Sequence, residues 1–151
     1  MSGLQGVTLH DLLLVEDNFA DVVLMEEAFE ANVKHLRLNK AEDGVEALAF
    51  LRREGRHTSA PRPKLMLLDL NLPRLNGFEV LAAMRADETL RSLPVLVLST
   101  SWAASDVERA YALGANAYLT KPHDLPGFFD LVRLIEQFWL TAARLPGGNG
   151  Q

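Results

Sequence analysis

The chain has 151 residues, 48% of them hydrophobic and 23% charged, with a formal net charge of −5 and no cysteine. That length suits one domain with a sizeable core, and the acidic balance, with no Lys/Arg cluster to offset it, argues against direct nucleic-acid binding. Disulfides, thiolate metal sites and Cys nucleophiles are excluded.

From Met1 to His10 there is neither the cationic start nor the apolar core of a signal peptide. No apolar run approaches the roughly 20 residues that span a bilayer, so a cytoplasmic protein without membrane contact is expected. The first apolar run, Leu12–Val15, ends in Glu16-Asp17-Asn18 and reads as a buried strand delivering two carboxylates to a loop. A helix is predicted over Phe19–Ala31, with Phe19, Val22, Met25 and Phe29 on its apolar stripe and Asn18 as its N-cap. Leu36–Lys40 alternates as a strand does, Asp43-Gly44 marks a turn, and Val45, Leu48, Ala49 and Leu51 fit a second helix. Gly55 to Pro63 reads as a loop.

Leu65–Leu68 is an apolar run of the length expected for a strand buried on both faces, and Asp69 follows it directly. Asn71, Pro73 and Gly77 then supply turn chemistry, and a helix is expected from Gly77 to about Arg85. Pro94–Leu98 is another buried strand and ends in Ser99. Ala103–Leu113 reads as a helix stopped by Gly114. Ala117–Thr120 is the last strand, ending in Lys121-Pro122, and a final helix is expected over Leu125–Ala143, before a frayed tail. Five strands alternating with five helices make a layered α/β domain, a doubly wound parallel sheet; periodicity leaves the strand order open.

In such a sheet the ligand crevice lies outside the carboxyl ends of the strands. Glu16, Asp17, Asp69, Ser99 and Lys121 would meet there. Three carboxylates without Cys or clustered His make a hard oxygen site suited to Mg²⁺ or Mn²⁺. A carboxylate can also accept a phosphoryl group, whose oxygens then need cations and donors. Each residue alone has a plainer reading as a helix cap, a strand end or a solvated turn.

Taken together, Glu16-Asp17, Asp69, Ser99 and Lys121-Pro122 resemble the receiver domain of two-component response regulators over nearly the whole chain. The resemblance implies a flavodoxin-like (βα)5 fold with strand order 2-1-3-4-5, over residues 11–143, between an N-terminal extension (1–10) and a flexible tail (144–151). It implies a signalling module and not an enzyme. Asp69 would be phosphorylated from a histidine kinase phosphohistidine; Glu16, Asp17, Asp69 and the Asn71 backbone carbonyl would hold the metal. Ser99 and Lys121 would bind the phosphoryl oxygens, Ser99 and Tyr118 would form the switch, and Pro122 would follow a cis peptide bond. Glu16 and Ser99 stand where the family more often has Asp and Thr, keeping the functional group in each case. His123 stands where an aromatic is frequent and, with His10, His35 and His57, is read as a surface residue.

No output domain follows Leu140, which resembles the single-domain kind of regulator. Ala60–Pro63 and Glu136–Leu140 resemble the subgroup typified by response regulators of bacterial phytochromes, which implies a bacteriophytochrome as the donor kinase. At about 100° per residue, Leu125, Phe128, Val132, Ile135 and Trp139 form one stripe of the last helix for packing on the sheet. Leu131, Leu134 and Phe138 form a second, expected to pair two copies as a homodimer. Two other families fit less well. A haloacid dehalogenase phosphatase needs a second acid two residues after its nucleophile, where Asn71 stands. A flavodoxin-like electron carrier needs a phosphate loop where this chain has Glu16-Asp17-Asn18. A receiver-like interaction module that is never phosphorylated is the remaining alternative.

Overall fold

The computed structural model describes residues 9–146; the N-terminal extension up to residue 8 and the tail from residue 147 lie outside it. The strands are β1 (His10–Val15), β2 (Leu36–Ala41), β3 (Leu65–Asp69), β4 (Val95–Ser99) and β5 (Ala117–Thr120). The helices are α1 (Phe19–Asn32), α2 (Gly44–Arg52), α3 (Gly77–Ala86), α4 (Ala104–Ala112) and α5 (Leu125–Leu134), which continues as a π-helix over Ile135–Ala142. All strand pairs are parallel, in the order β2-β1-β3-β4-β5. This is the flavodoxin-like order that the resemblance implies.

Side chains alternate across a strand, so the apolar runs feed two cores. Leu13, Val15, Met66, Leu68, Val95 and Val97 pack under α2, α3 and α4. Leu12, Leu14, Leu65, Leu67, Leu96 and Leu98 pack under α1 and α5. β3 and β4 are buried on both faces along their whole length, which is why they read as unbroken apolar runs.

Helix starts follow local chemistry. Asn18, Asp43, Asn76 and Asp124 each accept a backbone N–H of the first turn that follows, satisfying donors that have no intrahelical partner. The Asp43-Gly44 turn is thus the start of α2. Gly114, at φ +104°, ends α4 as expected. The loop after α2 contains a 3-10 turn over Gly55–His57, and His57 is half-buried with its ring edge-on to Phe50.

Three expectations are corrected. Phe19 is 79% exposed: as the first residue of α1 it points off the end of the packed face. Leu131 is 8% exposed and belongs to the core shared with Met25, Ala28 and Phe29. It therefore lies under α1, while Leu134 (64%) and Phe138 (56%) stay exposed. The angular count places Leu131 wrongly because the α1–α5 seam widens the buried face, and past Leu134 the turn itself widens, with Ala143 N–H bonding the carbonyl five residues back at Phe138. Finally, no peptide bond among the described residues is cis, so Lys121–Pro122 is trans, the isomer an X–Pro bond favours by about 0.5–1 kcal/mol without outside constraint. Among the described residues no helix is long and apolar enough to cross a membrane.

Candidate functional site

Register brings the site together. Val15 pairs with Leu68, Asp69 with Leu98, and Ser99 with Thr120. One residue beyond those pairs, Glu16 and Lys121 emerge on the same sheet edge as Asp69 and Ser99. The chain then folds back closely after β3: Gly77 N–H bonds Leu70 O at 3.0 Å. A Cβ on Gly77 would come within 2.6 Å of the Asp69 carbonyl oxygen, so only glycine permits this approach.

Glu16 and Asp69 are buried, and Asp17 is exposed. One carboxylate oxygen from each of the three lies within 4.8 Å of the others. An all-oxygen donor set this close, open to solvent on the Asp17 side, fits Mg²⁺ or Mn²⁺. The Lys121 ammonium lies 2.7 Å from Glu16 Oε1, 3.1 Å from Asp21 Oδ2 and 3.5 Å from Asp69 Oδ2. Asn18 N–H donates to Glu16 Oε2 at 3.1 Å, and Asn71 N–H donates to Asp69 Oδ1 at 3.2 Å.

Crowded charge shifts two titrations. Burial, helped by the charge of Asp69, pushes Glu16 up to about 7 against the pull of Lys121 and the Asn18 amide. Burial works to lower Lys121, but the bond from Glu16, the charges of Asp69 and Glu16 and the bond from Asp21 outweigh it and raise its pKa. The ammonium stays charged at any physiological pH.

On the other side of Asp69, Ser99 is buried and its Oγ accepts the Ser101 N–H at 3.1 Å. Lys121 N–H donates to Ser99 O at 2.9 Å, which ties the two strand ends together. Tyr118 is half-buried; its hydroxyl donates to Ser101 O at 3.1 Å, and its backbone N–H donates to the Tyr111 hydroxyl at 3.1 Å. Trp102, next to Ser101, is exposed.

A cavity of about 560 Å³ opens beside the acids, lined among others by Glu16, Asp17, Phe19, Glu42 and Arg56. Asp21, which contacts Lys121, carries no motif in the sequence. A lone acid in a first helical turn reads as a dipole partner, and nothing in the sequence ties it to the site.

A parallel 2-1-3-4-5 sheet with an acid trio, a hydroxyl and a lysine at its carboxyl edge defines a phosphoacceptor signalling domain. Residues 12–133 match the family described as response regulator receiver domain, and the chain belongs to it. Response regulator Rcp1 of Synechocystis sp. is 44% identical over 135 residues, covering 89% of this chain and 92% of Rcp1. The crystal structure of the phosphorylated cyanobacterial phytochrome response regulator RcpA superimposes with a TM-score of 0.88 at 45% identity, covering 93% of this chain and all of RcpA. The Mn²⁺-bound form of Rcp1 does so with a TM-score of 0.84 at 43% identity, covering 91% and 99%. The protein is therefore a receiver-domain response regulator, similar to phytochrome response regulators.

Proposed function

We propose that Asp69 accepts a phosphoryl group from a phosphohistidine of a histidine kinase. The observation that carries this reading is the buried Asp69 carboxylate, 3.5 Å from a lysine held charged and within 4.8 Å of two further acids. A carboxylate oxygen of Asp69 attacks phosphorus. The P–O bond forms as the P–N bond breaks, and the imidazole leaves as a neutral ring when its other nitrogen already carries a proton. Glu16, Asp17 and Asp69, with the Asn71 main-chain carbonyl, would hold the metal. When bound, Mg²⁺ or Mn²⁺ supplies positive charge for the phosphoryl oxygens.

Lys121 and the Ser99 hydroxyl complete the cradle. Drawing Ser99 toward the phosphoryl group would break its bond with the Ser101 amide, loosening the segment whose carbonyl holds the Tyr118 hydroxyl. Tyr118 then turns inward and changes the surface of α4 and β5. Asn71 has no acid to offer a leaving group, so ester hydrolysis is not the reaction favoured here.

Similarity to Rcp1 and RcpA supports a bacteriophytochrome as the donor, working with this protein in the cytoplasm, with protein contacts and not nucleic acid as output. Exposed Leu134 and Phe138 support a homodimer through the last helix. The test is incubation with acetyl phosphate and Mg²⁺, followed by intact-mass measurement. One phosphoryl group should add to the wild type, none to Asp69→Asn and none with chelator. Unchanged labelling of Asp69→Asn would overturn the assignment. Transfer from a phosphorylated phytochrome-type kinase, faster than from an unrelated histidine kinase, tests the partner.

A further inference from the structure

We infer that Asp21 is a positioning residue that holds the Lys121 ammonium back from Asp69 in the resting protein and yields it when the phosphoryl group arrives. The inference rests on Asp69 being the acceptor.

An ammonium has three N–H donors, and Lys121 faces three carboxylates. The contacts lengthen from Glu16 (2.7 Å) through Asp21 (3.1 Å) to Asp69 (3.5 Å), so the charge sits toward the end of β1 and the start of α1, and farthest from the acceptor. Asp21 is presented rigidly: it lies in the first turn of α1, and its own N–H is bound by the Asn18 side chain at 3.0 Å. The helix dipole accounts for an acid at that position, but not for its contact with a lysine 100 residues away in sequence.

Of the three partners, Asp21 alone lies outside the acid trio that could hold a metal. A cation at the trio draws on the charge of Glu16 and Asp69, and leaves that of Asp21 whole. In the metal-loaded protein Asp21 is then the strongest remaining restraint on Lys121. It is also the one that can be released without loss to the metal. A phosphoryl oxygen at Asp69 and the carboxylate of Asp21 compete for the same N–H.

The experiment measures binding of beryllofluoride, which mimics an aspartyl phosphoryl group, at saturating Mg²⁺. Asp21→Asn should bind it up to about fivefold more tightly than wild type, the scale of one partly exposed ion pair. The gain should vanish in a Lys121→Met background, because two changes acting through one contact are not additive. Glu42→Gln takes the same charge from the rim of the neighbouring cavity, where Glu42 touches neither Lys121 nor the acceptor. It should leave the affinity within about twofold, since exposed charges at a distance are screened. The role of Asp21 is overturned if Asp21→Asn binds no more tightly than wild type, or if Glu42→Gln gains as much. Failure of the acceptor assignment reads differently: the wild type itself then neither takes phosphate from acetyl phosphate nor binds beryllofluoride.

Discussion

Replacing Asp69 with Asn should make the metal-free protein more stable while removing its reactive group. Above about pH 8, where Glu16, with its value of about 7, is ionised, Glu16 and Asp17 each place a charged carboxylate oxygen within 4.8 Å of Asp69. At an effective dielectric constant of about 20, each unit charge at that distance repels Asp69 by about 3.5 kcal/mol. Lys121, at 3.5 Å, attracts it by about 4.7 kcal/mol on the same footing. The two repulsions exceed the one attraction by about 2 kcal/mol. Screening at exposed Asp17 trims that figure, and the hydration that a buried carboxylate gives up restores it. Lys121 is not orphaned by the change, because Glu16 and Asp21 remain. For a domain of this size about 2 kcal/mol corresponds to a rise of about 4–8 °C in the melting midpoint. Circular-dichroism melts in EDTA at about pH 8, where Glu16 is ionised, should show Asp69→Asn above the wild type, and the gap should close in Mg²⁺, where the wild type gains a ligand that the variant binds poorly. A variant melting below the wild type in EDTA would refute the claim that like charge dominates this edge of the sheet.

Glu16 gives a pH signature. Its folded-state value of about 7 lies above the ordinary 4.5, so between these values the folded metal-free protein holds a proton that the unfolded chain has lost. Its contribution to stability is complete below pH 4.5 and is lost as pH rises through about 7. Mg²⁺ affinity should rise over the same window as the ligand deprotonates; thermal melts in chelator and metal titrations across it check both signs. Ser99→Ala should still be labelled at Asp69 but change its partner affinity less on phosphorylation, and an undiminished response would show that the coupling bypasses Ser99. Leu134→Glu with Phe138→Glu should leave a folded chain that sediments as a monomer, each exposed apolar side chain having been worth about 1.5–3 kcal/mol if fully buried. A wild type that is already monomeric at tens of micromolar would remove the basis for the pairing.

The site was legible because buried strands must be apolar and a polar residue ending such a run marks the sheet edge. Leu65–Leu68 followed by Asp69 and Val95–Leu98 followed by Ser99 say this directly. The order of the strands came only from the family resemblance, since nothing in an alternating pattern states which neighbour a strand chooses. Leu131 was misplaced because a helical wheel knows one helix, whereas its burial is decided by α1 lying across it. The widening of the last helix beyond Leu134 follows no composition rule, as Ile135–Ala142 is ordinary helical sequence. Asp21 carries no signal in the sequence because its partner, Lys121, lies 100 residues away at the end of another element. The Lys121–Pro122 geometry carried over from the family is not the one found here, where the bond is trans.

The central place of β3 sets where the molecule yields. Hydrogen-bonded to β1 on one side and β4 on the other, and buried along its length, β3 hangs Asp69 from the stiffest part of the sheet. β5 is an edge strand of four residues, tied to β4 alone and half-buried or exposed throughout. Amide protons of Leu65–Asp69 should exchange with deuterium only through global opening, and those of Ala117–Thr120 through local fraying at much lower free energy. The proposed bond making at Asp69 thus falls on the most enclosed strand of the sheet, while Tyr118 and the approach to Lys121 lie on an edge strand with a neighbour on one side only.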